Sequence, residues 1–488
     1  MCLSFGGSIA GGSRLNAPVL WILLPIIAGI GLYFLRRWHR LVVSLGTGLA
    51  LLLTLLAWQA PINETIRLGN WGFKINETLN ILGRQFSLTN PDRPFMVCIY
   101  LMAALWFAAT YVGRAGRIFV PLGFIITGLL TAALAVEPFL YAAMLVELAA
   151  LVSVVLLSPP GRPIRHGSLR FLIFQTLGMP FILFTGWLLT GVEASPGELM
   201  LVNRAAILLG IGFVLWLAIF PFHTWLPMVT EEAHPMSASF VTLMLPFMIM
   251  LFGLGFLDRY AWLRNAPQLN NLLQIAGVLM VLTGGVWAAF QRHLGRMLGF
   301  IVMVEIGKAL LASSIPGGGL ALFFTLLLPR AIALAVYSLA LSVLQSSPRL
   351  SNPRNLSFRD VQGMGRRLPL ATASLSIAYF SLAGLPLLAG FPVLLSLLRL
   401  LSSVSMPVAL LTLLGTAGLF IGGLRSLAIL VMGTDTEPQG WQVQEHGTVI
   451  LFLGIGVLAL LAIGLFPQIF LPPLAELARA FIHLNPAP

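Results

Sequence analysis

The chain has 488 residues, of which 58% are hydrophobic and only 9% charged, against about 25% charged in soluble domains. Its mean hydropathy is +0.95, and apolar runs recur from residue 17 to residue 471, which excludes a soluble domain with a single anchor. The net charge of +12, from 28 Lys+Arg against 16 Asp+Glu, falls mostly between those runs, so it speaks for orientation in a bilayer rather than for nucleic acid.

The first 16 residues are rich in Gly and Ser and carry no cleavable-signal pattern, so the first long apolar run reads as a retained span. A bilayer core of about 30 Å takes roughly 20 apolar residues per helix. By that measure the sequence predicts an all-α integral membrane protein of about fourteen spans. They fall near 17–35, 41–60, 95–113, 117–135, 138–157, 170–191, 202–220, 237–257, 270–290, 297–314, 319–346, 368–402, 406–432 and 448–471. The stretch 60–94 mixes Gly, Asn, charge and alternating apolar residues and reads as an extra-membrane hairpin. Three regions follow: 1–94 with the N-terminal spans and hairpin, 95–405 as a core of two inverted repeats, and 406–488 with the C-terminal spans. Cys2 and Cys98 form no disulfide framework, cluster motif or metal spacing.

If each span is counted once, the loops holding Arg36, Arg37 and Arg40, then Arg114 and Arg117, Arg162, Arg165 and Arg170, Arg292 and Arg296, and Arg349, Arg354, Arg359, Arg366 and Arg367 share one side. The other side has mainly Arg67, Lys74, Arg84, Arg93, Arg259 and Arg264. The positive-inside rule puts the first set in the cytoplasm and both termini outside, in a bacterial inner membrane or an equivalent energy-transducing membrane.

Two spans are expected to be broken. In FPFHTWLP, Pro221 and Pro227 flank His223 and Trp225, and in FSLAGLPLLAGFPVLL, Pro386 and Pro392 interrupt a long apolar run. Breaks free backbone groups at membrane depth, which is tolerated only against protein or a wet cavity. Two of them, five spans apart, match an internally repeated transporter.

Ionisable residues inside spans are costly and are functional candidates. Glu147 stands alone in its span, which suits proton uptake and release or a bond across helices. Glu305 and Lys308 are three apart and share a helix face, either as a self-neutralising pair or as a proton relay. Arg330 follows a helix-bending Pro329 and, being permanently charged, suits an electrostatic anchor. His223 could shuttle protons or cap carbonyls, while Arg399 and Arg425 lie near span ends and are expected to reach the interface. His223 and His234 with Glu231 and Glu232 fit no common metal spacing, and no nucleotide loop or catalytic triad is present.

These motifs carry a resemblance. FPFHTWLPMVTEEAHPMSAS is similar to the signature of the proton-antiporter-type membrane subunits of respiratory complex I, shared with multisubunit cation/proton antiporters and membrane-bound hydrogenases. The matching residues are Pro221, His223, Trp225, Leu226, Pro227, Ala233, Pro235 and Ser239. AAFQRHLGRMLGFIVMVEIG, FSLAGLPLLAGF and the placement of Glu147 agree with it, over about 95 to 470. The resemblance implies an inverted-repeat antiporter-like fold and a non-catalytic subunit of a proton-translocating NADH-quinone oxidoreductase. It implies no cofactor in this chain, with flavin, iron–sulfur and quinone in partner subunits of the membrane complex. It also implies a glutamate of span five paired with a lysine of span seven, and a lysine or glutamate in span twelve.

The chain departs from that pattern. The span-seven lysine position is Trp216, the span-eight lysine falls near Met248, the span-twelve position is Leu394, and the span-eleven histidines fall near Phe324 and Leu328. A proton wire needs titratable groups or ordered water at intervals, and these residues leave apolar gaps. A proton path through Glu147, Glu305, Lys308, His223 and Arg330 is thus expected to be impaired or rerouted. Two rival expectations stand beside it: a subunit of a cation/proton antiporter or inorganic-carbon uptake complex, and a non-conducting structural subunit.

Overall fold

A computed structural model describes residues 15–68, 71–81, 83–158, 164–194, 199–266, 268–348, 355–432 and 443–484. Arg162, Arg349, Arg354 and Cys2 lie outside them. After a five-residue π-helical turn at Val19–Leu23, the helices in chain order are α1 Leu24–Phe34, α2 His39–Gln59, α3 Arg93–Gly113, α4 Phe119–Ala135, α5 Ala142–Leu157, α6 His166–Ala194, α7 Leu199–Trp216, α8 Trp225–Glu232, α9 Pro235–Arg259 and α10 Ala261–Arg264. They continue with α11 Leu269–Phe290, α12 Leu294–Ser313, α13 Gly319–Thr325, α14 Leu327–Gln345, α15 Phe358–Val361, α16 Pro369–Ala383, α17 Gly390–Val404, α18 Met406–Val431 and α19 Gly447–Leu465.

By length and composition nine helices among the described residues can cross a membrane. Val19–Phe34, Phe119–Ala135, Met200–Trp216, Pro369–Ala383 and Gly390–Val404 are shorter apolar helices of 10–17 residues. Leu294–Ser313 is 20 residues long but carries Arg296, Glu305 and Lys308. The chain is an integral multi-pass membrane protein.

Helices α2 and α19 leave most of their apolar surface exposed, whereas 83% of the best window of α9 is buried, making α9 the central element. Where α11 meets α18 the backbones touch: a Cβ on Gly285 would lie 2.6 Å from the Gly415 carbonyl carbon, and one on Gly418 would lie 2.6 Å from Gly285. Small residues allow such close approach where apolar solvent gives helices no hydrophobic reason to associate.

Residues 60–94 form two antiparallel hairpins, Thr65–Leu68 with Trp71–Asn76 and Thr78–Ile81 with Arg84–Ser87. The first also pairs with Leu15–Asn16 and the second with Val136–Glu137. The first described residues therefore lie on the hairpin face. So do the last described residues, where Phe481 packs against Phe95 at the start of α3 and the His483 amide donates to Asp258 at 2.8 Å. On the opposite face Glu231 meets Arg296, and the Gln444 amide donates to the Arg367 carbonyl.

Candidate functional site

Both predicted breaks are present, and in each the two prolines do different things. In the first, α7 ends at Trp216, Ala218 takes a positive φ of 55°, the Phe220–Pro221 bond is cis, and a short 3₁₀ turn Phe222–Thr224 leads into α8. Pro227 does not break the helix: it sits in the first turn of α8, where an amide would have no helical partner anyway. The second break repeats the plan. Gly384 (φ 83°) and Leu387 (φ 72°) turn the chain between α16 and α17, Pro386 lies in the turn, and Pro392 falls in the first turn of α17. Pro329 likewise stands in the first turn of α14, but only Leu326 lies between α13 and α14 and it keeps a helical conformation, so the proline bends the run Gly319–Gln345.

The freed backbone groups are satisfied in contrasting ways. At the second break the Leu385 amide donates to Phe380 and the Gly384 amide to Ser381, a glycine-closed helix end. The Gly390 amide donates to the Ser381 hydroxyl at 3.2 Å. The Leu382 carbonyl receives the Lys308 ammonium at 3.1 Å. That places a cation at the C-terminal, negative end of a half-helix, where the aligned peptide dipoles favour it. Lys308 is at the same time ion-paired with Glu305, and both are buried. Arg330, also buried, interacts electrostatically with Glu305 and donates to the Thr242 carbonyl at 3.5 Å. That carbonyl is available because Pro246, four residues on in α9, has no amide to give it.

At the first break the terminal carbonyl of α7, that of Trp216, receives a neutral donor, the Gln175 side-chain amide at 3.1 Å. The bond is reciprocated: the Trp216 indole donates to the Gln175 carbonyl at 2.8 Å. The indole lies on Gly178, where an added Cβ would fall 2.5 Å from its nitrogen, and it packs against Phe213 and Phe252. Glu147 accepts from the Thr176 hydroxyl at 2.6 Å. The predicted Glu147 thus meets a threonine of α6, one residue from Gln175, and not a cation.

His223 stacks on Phe220, with no partner for its Nδ1 among the described residues. Trp225 packs on Phe171 and anchors α8 against α6. Trp216, Met248 and Leu394 are all buried; Leu394 rests on Gly384 in the second break. Arg425 donates to the Ala289 carbonyl at the end of α11. Outside the spans, burial pushes His234, at the start of α9, down to about 4. It also lowers His293, against the pull of Glu231. Among the described residues no group of three His, Cys, Asp or Glu side chains could hold a metal.

Sequence reasoning put Glu305 and Lys308 on one helix face, where the structure pairs them, but read Arg330 only as a separate electrostatic anchor and not as a neighbour of Glu305. It missed Gln175, Thr176, Gly178 and the Leu382 carbonyl. The adjacent polar pair Gln175–Thr176 inside an apolar span was the available signal for the first three.

The paired breaks, the buried charges and the helical architecture define a class, that of multi-pass membrane proteins with an antiporter-like build. Comparison with known proteins finds relatives of that build. Residues 191–421 match the family model described as NADH:quinone oxidoreductase/Mrp antiporter, TM. NADH-quinone oxidoreductase subunit N of Psychrobacter arcticus is 32% identical over 246 residues, 48% of this chain and 47% of the relative. The protein of that name from Herpetosiphon aurantiacus, subunit N 1, is 26% identical over 303 residues, 61% and 58%. The matched stretch thus spans about half the length of these curated relatives. Solved structures agree in fold over 96% of the chain. A chain of the archaeal membrane-bound sulfane sulfur reductase, covered to 98%, has a TM-score of 0.79 at 17% identity. A chain of Thermus thermophilus respiratory complex I, covered to 100%, has 0.73 at 24%, and one of the Mrp complex of a Dietzia species, covered to 97%, has 0.76 at 18%. Over residues 191–421, a little under half of its length, the chain is similar to the NADH:quinone oxidoreductase/Mrp antiporter family.

Proposed function

We propose that the chain is a membrane-arm subunit of a complex I-like NADH-quinone oxidoreductase, taking part in proton translocation driven by redox chemistry in other subunits. It would sit in a bacterial inner membrane or its equivalent, with the hairpin face and both termini outside. It would hold no redox centre itself; flavin, iron–sulfur clusters and quinone would belong to its partners. The observation that carries the reading is the buried Glu305–Lys308–Arg330 cluster at the second helix break. Buried charge at a broken helix is the usual mark of an ion path in a membrane. The names of the relatives, all subunit N of NADH-quinone oxidoreductases, support the same reading.

A second reading, that of a non-conducting structural subunit, is favoured by Trp216, Met248 and Leu394 at the family's charged positions. The experiment is a mild-detergent pull-down of the tagged chain, with partners identified by mass spectrometry and the complex assayed for flavin and iron. Flavin- and iron-bearing partners are expected. Antiporter subunits alone, or a carbonic-anhydrase-like partner, would move the chain to the cation/proton antiporter or inorganic-carbon uptake class.

A further inference from the structure

We propose that Lys308 is the proton-carrying group of this chain, serving the second break from a neighbouring helix, and that the first break is sealed by the Trp216–Gln175–Gly178 interlock. The inference rests on the translocation reading above.

The two breaks follow one plan, so the difference in what fills their helix-end carbonyls is informative. Each leaves a carbonyl at the end of its first half-helix: that of Trp216 in one, that of Leu382 in the other. The first is filled by the neutral Gln175 amide and the second by the Lys308 ammonium. An amide cannot give up a proton under physiological conditions; an ammonium can. Leu394, at the position where the resemblance places a lysine or glutamate, lies on Gly384 within reach of the same break. A charge absent from α17 is therefore supplied to the same place by α12.

The surroundings allow Lys308 to work in both charge states. As an ammonium it is held by the Glu305 carboxylate and the Leu382 carbonyl. On releasing one proton to water at the break it becomes a neutral amine. Glu305 then keeps a counter-charge, because Arg330 interacts with it and does not deprotonate. Arg330 thereby lowers the cost of leaving the Glu305 carboxylate without its ammonium in low dielectric. Uptake of a proton from water reverses the step. The helix end at the first break holds no such cation: the Trp216 indole donates to the Gln175 carbonyl, the Trp216 carbonyl accepts from the Gln175 amide, Glu147 is bound to Thr176, and His223 stacks on Phe220.

The test is proton uptake by inverted membrane vesicles energised with NADH, read by acridine-dye quenching, in cells carrying the wild-type chain, a deletion, or a variant. Assembly is checked by pull-down in each. Lys308→Arg keeps the ion pair and the helix-end bond but cannot release a proton. It is expected to assemble normally and to lower the chain-dependent uptake at least tenfold, as Lys308→Gln does. Glu147→Gln is expected to retain more than half of it. Uptake by Lys308→Arg equal to wild type overturns the proposal, as does loss of uptake in Glu147→Gln with assembly intact. If the deletion itself removes no uptake, the functional reading falls and this inference with it. If the deletion removes uptake and Lys308→Arg does not, only this inference falls.

Discussion

Placing a methyl group at Gly178 tests the interlock at the first break. In Gly178→Ala the new Cβ lies 2.5 Å from the Trp216 indole nitrogen and 3.1 Å from the Gly212 carbonyl. The indole cannot retreat, because its N–H is committed to the Gln175 carbonyl and its own backbone carbonyl to the Gln175 side chain. Overpacking of this kind costs about 1–3 kcal/mol, and a pinned neighbour puts it in the upper part of that range. Alanine recovers about 1 kcal/mol over glycine from helix propensity, leaving a net loss of about 1–2 kcal/mol. In a Trp216→Leu background the obstacle is gone and the same methyl should be neutral or stabilising by up to about 1 kcal/mol. The coupling between the two sites is therefore about 1–3 kcal/mol, as expected of residues in contact. It is measured as a double-mutant cycle by following helical circular dichroism of the purified protein against the mole fraction of SDS in mixed micelles. A methyl that acts alike in both backgrounds, within about 0.5 kcal/mol, would refute the interlock.

Three further outcomes follow from contacts elsewhere. Glu445 accepts the Leu370 and Ala371 amides, at 3.2 and 2.7 Å, at the start of α16. Glu445→Ala should therefore cost about 1 kcal/mol in the same titration, whereas an unchanged midpoint would mean that water replaces the cap at no loss. Gly285→Ala drives a methyl into the α18 backbone and should destabilise by about 2–3 kcal/mol; hydrogen exchange should then show α11 and α18 losing protection together. His234 has a folded-state value of about 4, below its ordinary 6.5, so the unfolded chain takes up the proton first as pH falls. Its contribution is thus constant above pH 6.5 and is lost progressively from there toward about 4. Stability measured from pH 7.5 down to 5 should fall less steeply in His234→Gln than in wild type.

The sequence made the breaks and the charges conspicuous for one physical reason: lipid tolerates few prolines and fewer charges, so each one inside an apolar run stands out. Pro221, Pro386, Glu305 and Lys308 could be read that way. Their partners could not, because the Leu382 carbonyl is 74 residues from Lys308 and a backbone group leaves no trace in composition. The same limit hid the link between Gln175 and Trp216, 41 residues apart. Pro227 and Pro392 looked like breakers because sequence fixes proline but not where a helix restarts around it. The loss of the span-seven lysine was legible, since Trp216 stands at that position, but the sequence did not show that Glu147 takes Thr176 instead.

The central claim is that a lysine at the second break is what matters, and not the helix that supplies it. The most direct measurement is NADH-driven proton uptake by vesicles carrying Lys308→Leu alone and combined with Leu394→Lys, each with assembly verified. The account predicts that the single variant loses uptake and that the double variant, with its lysine returned to the break from α17, recovers a substantial part of it. Full uptake by Lys308→Leu, or a fully assembled double variant that stays silent, would contradict it.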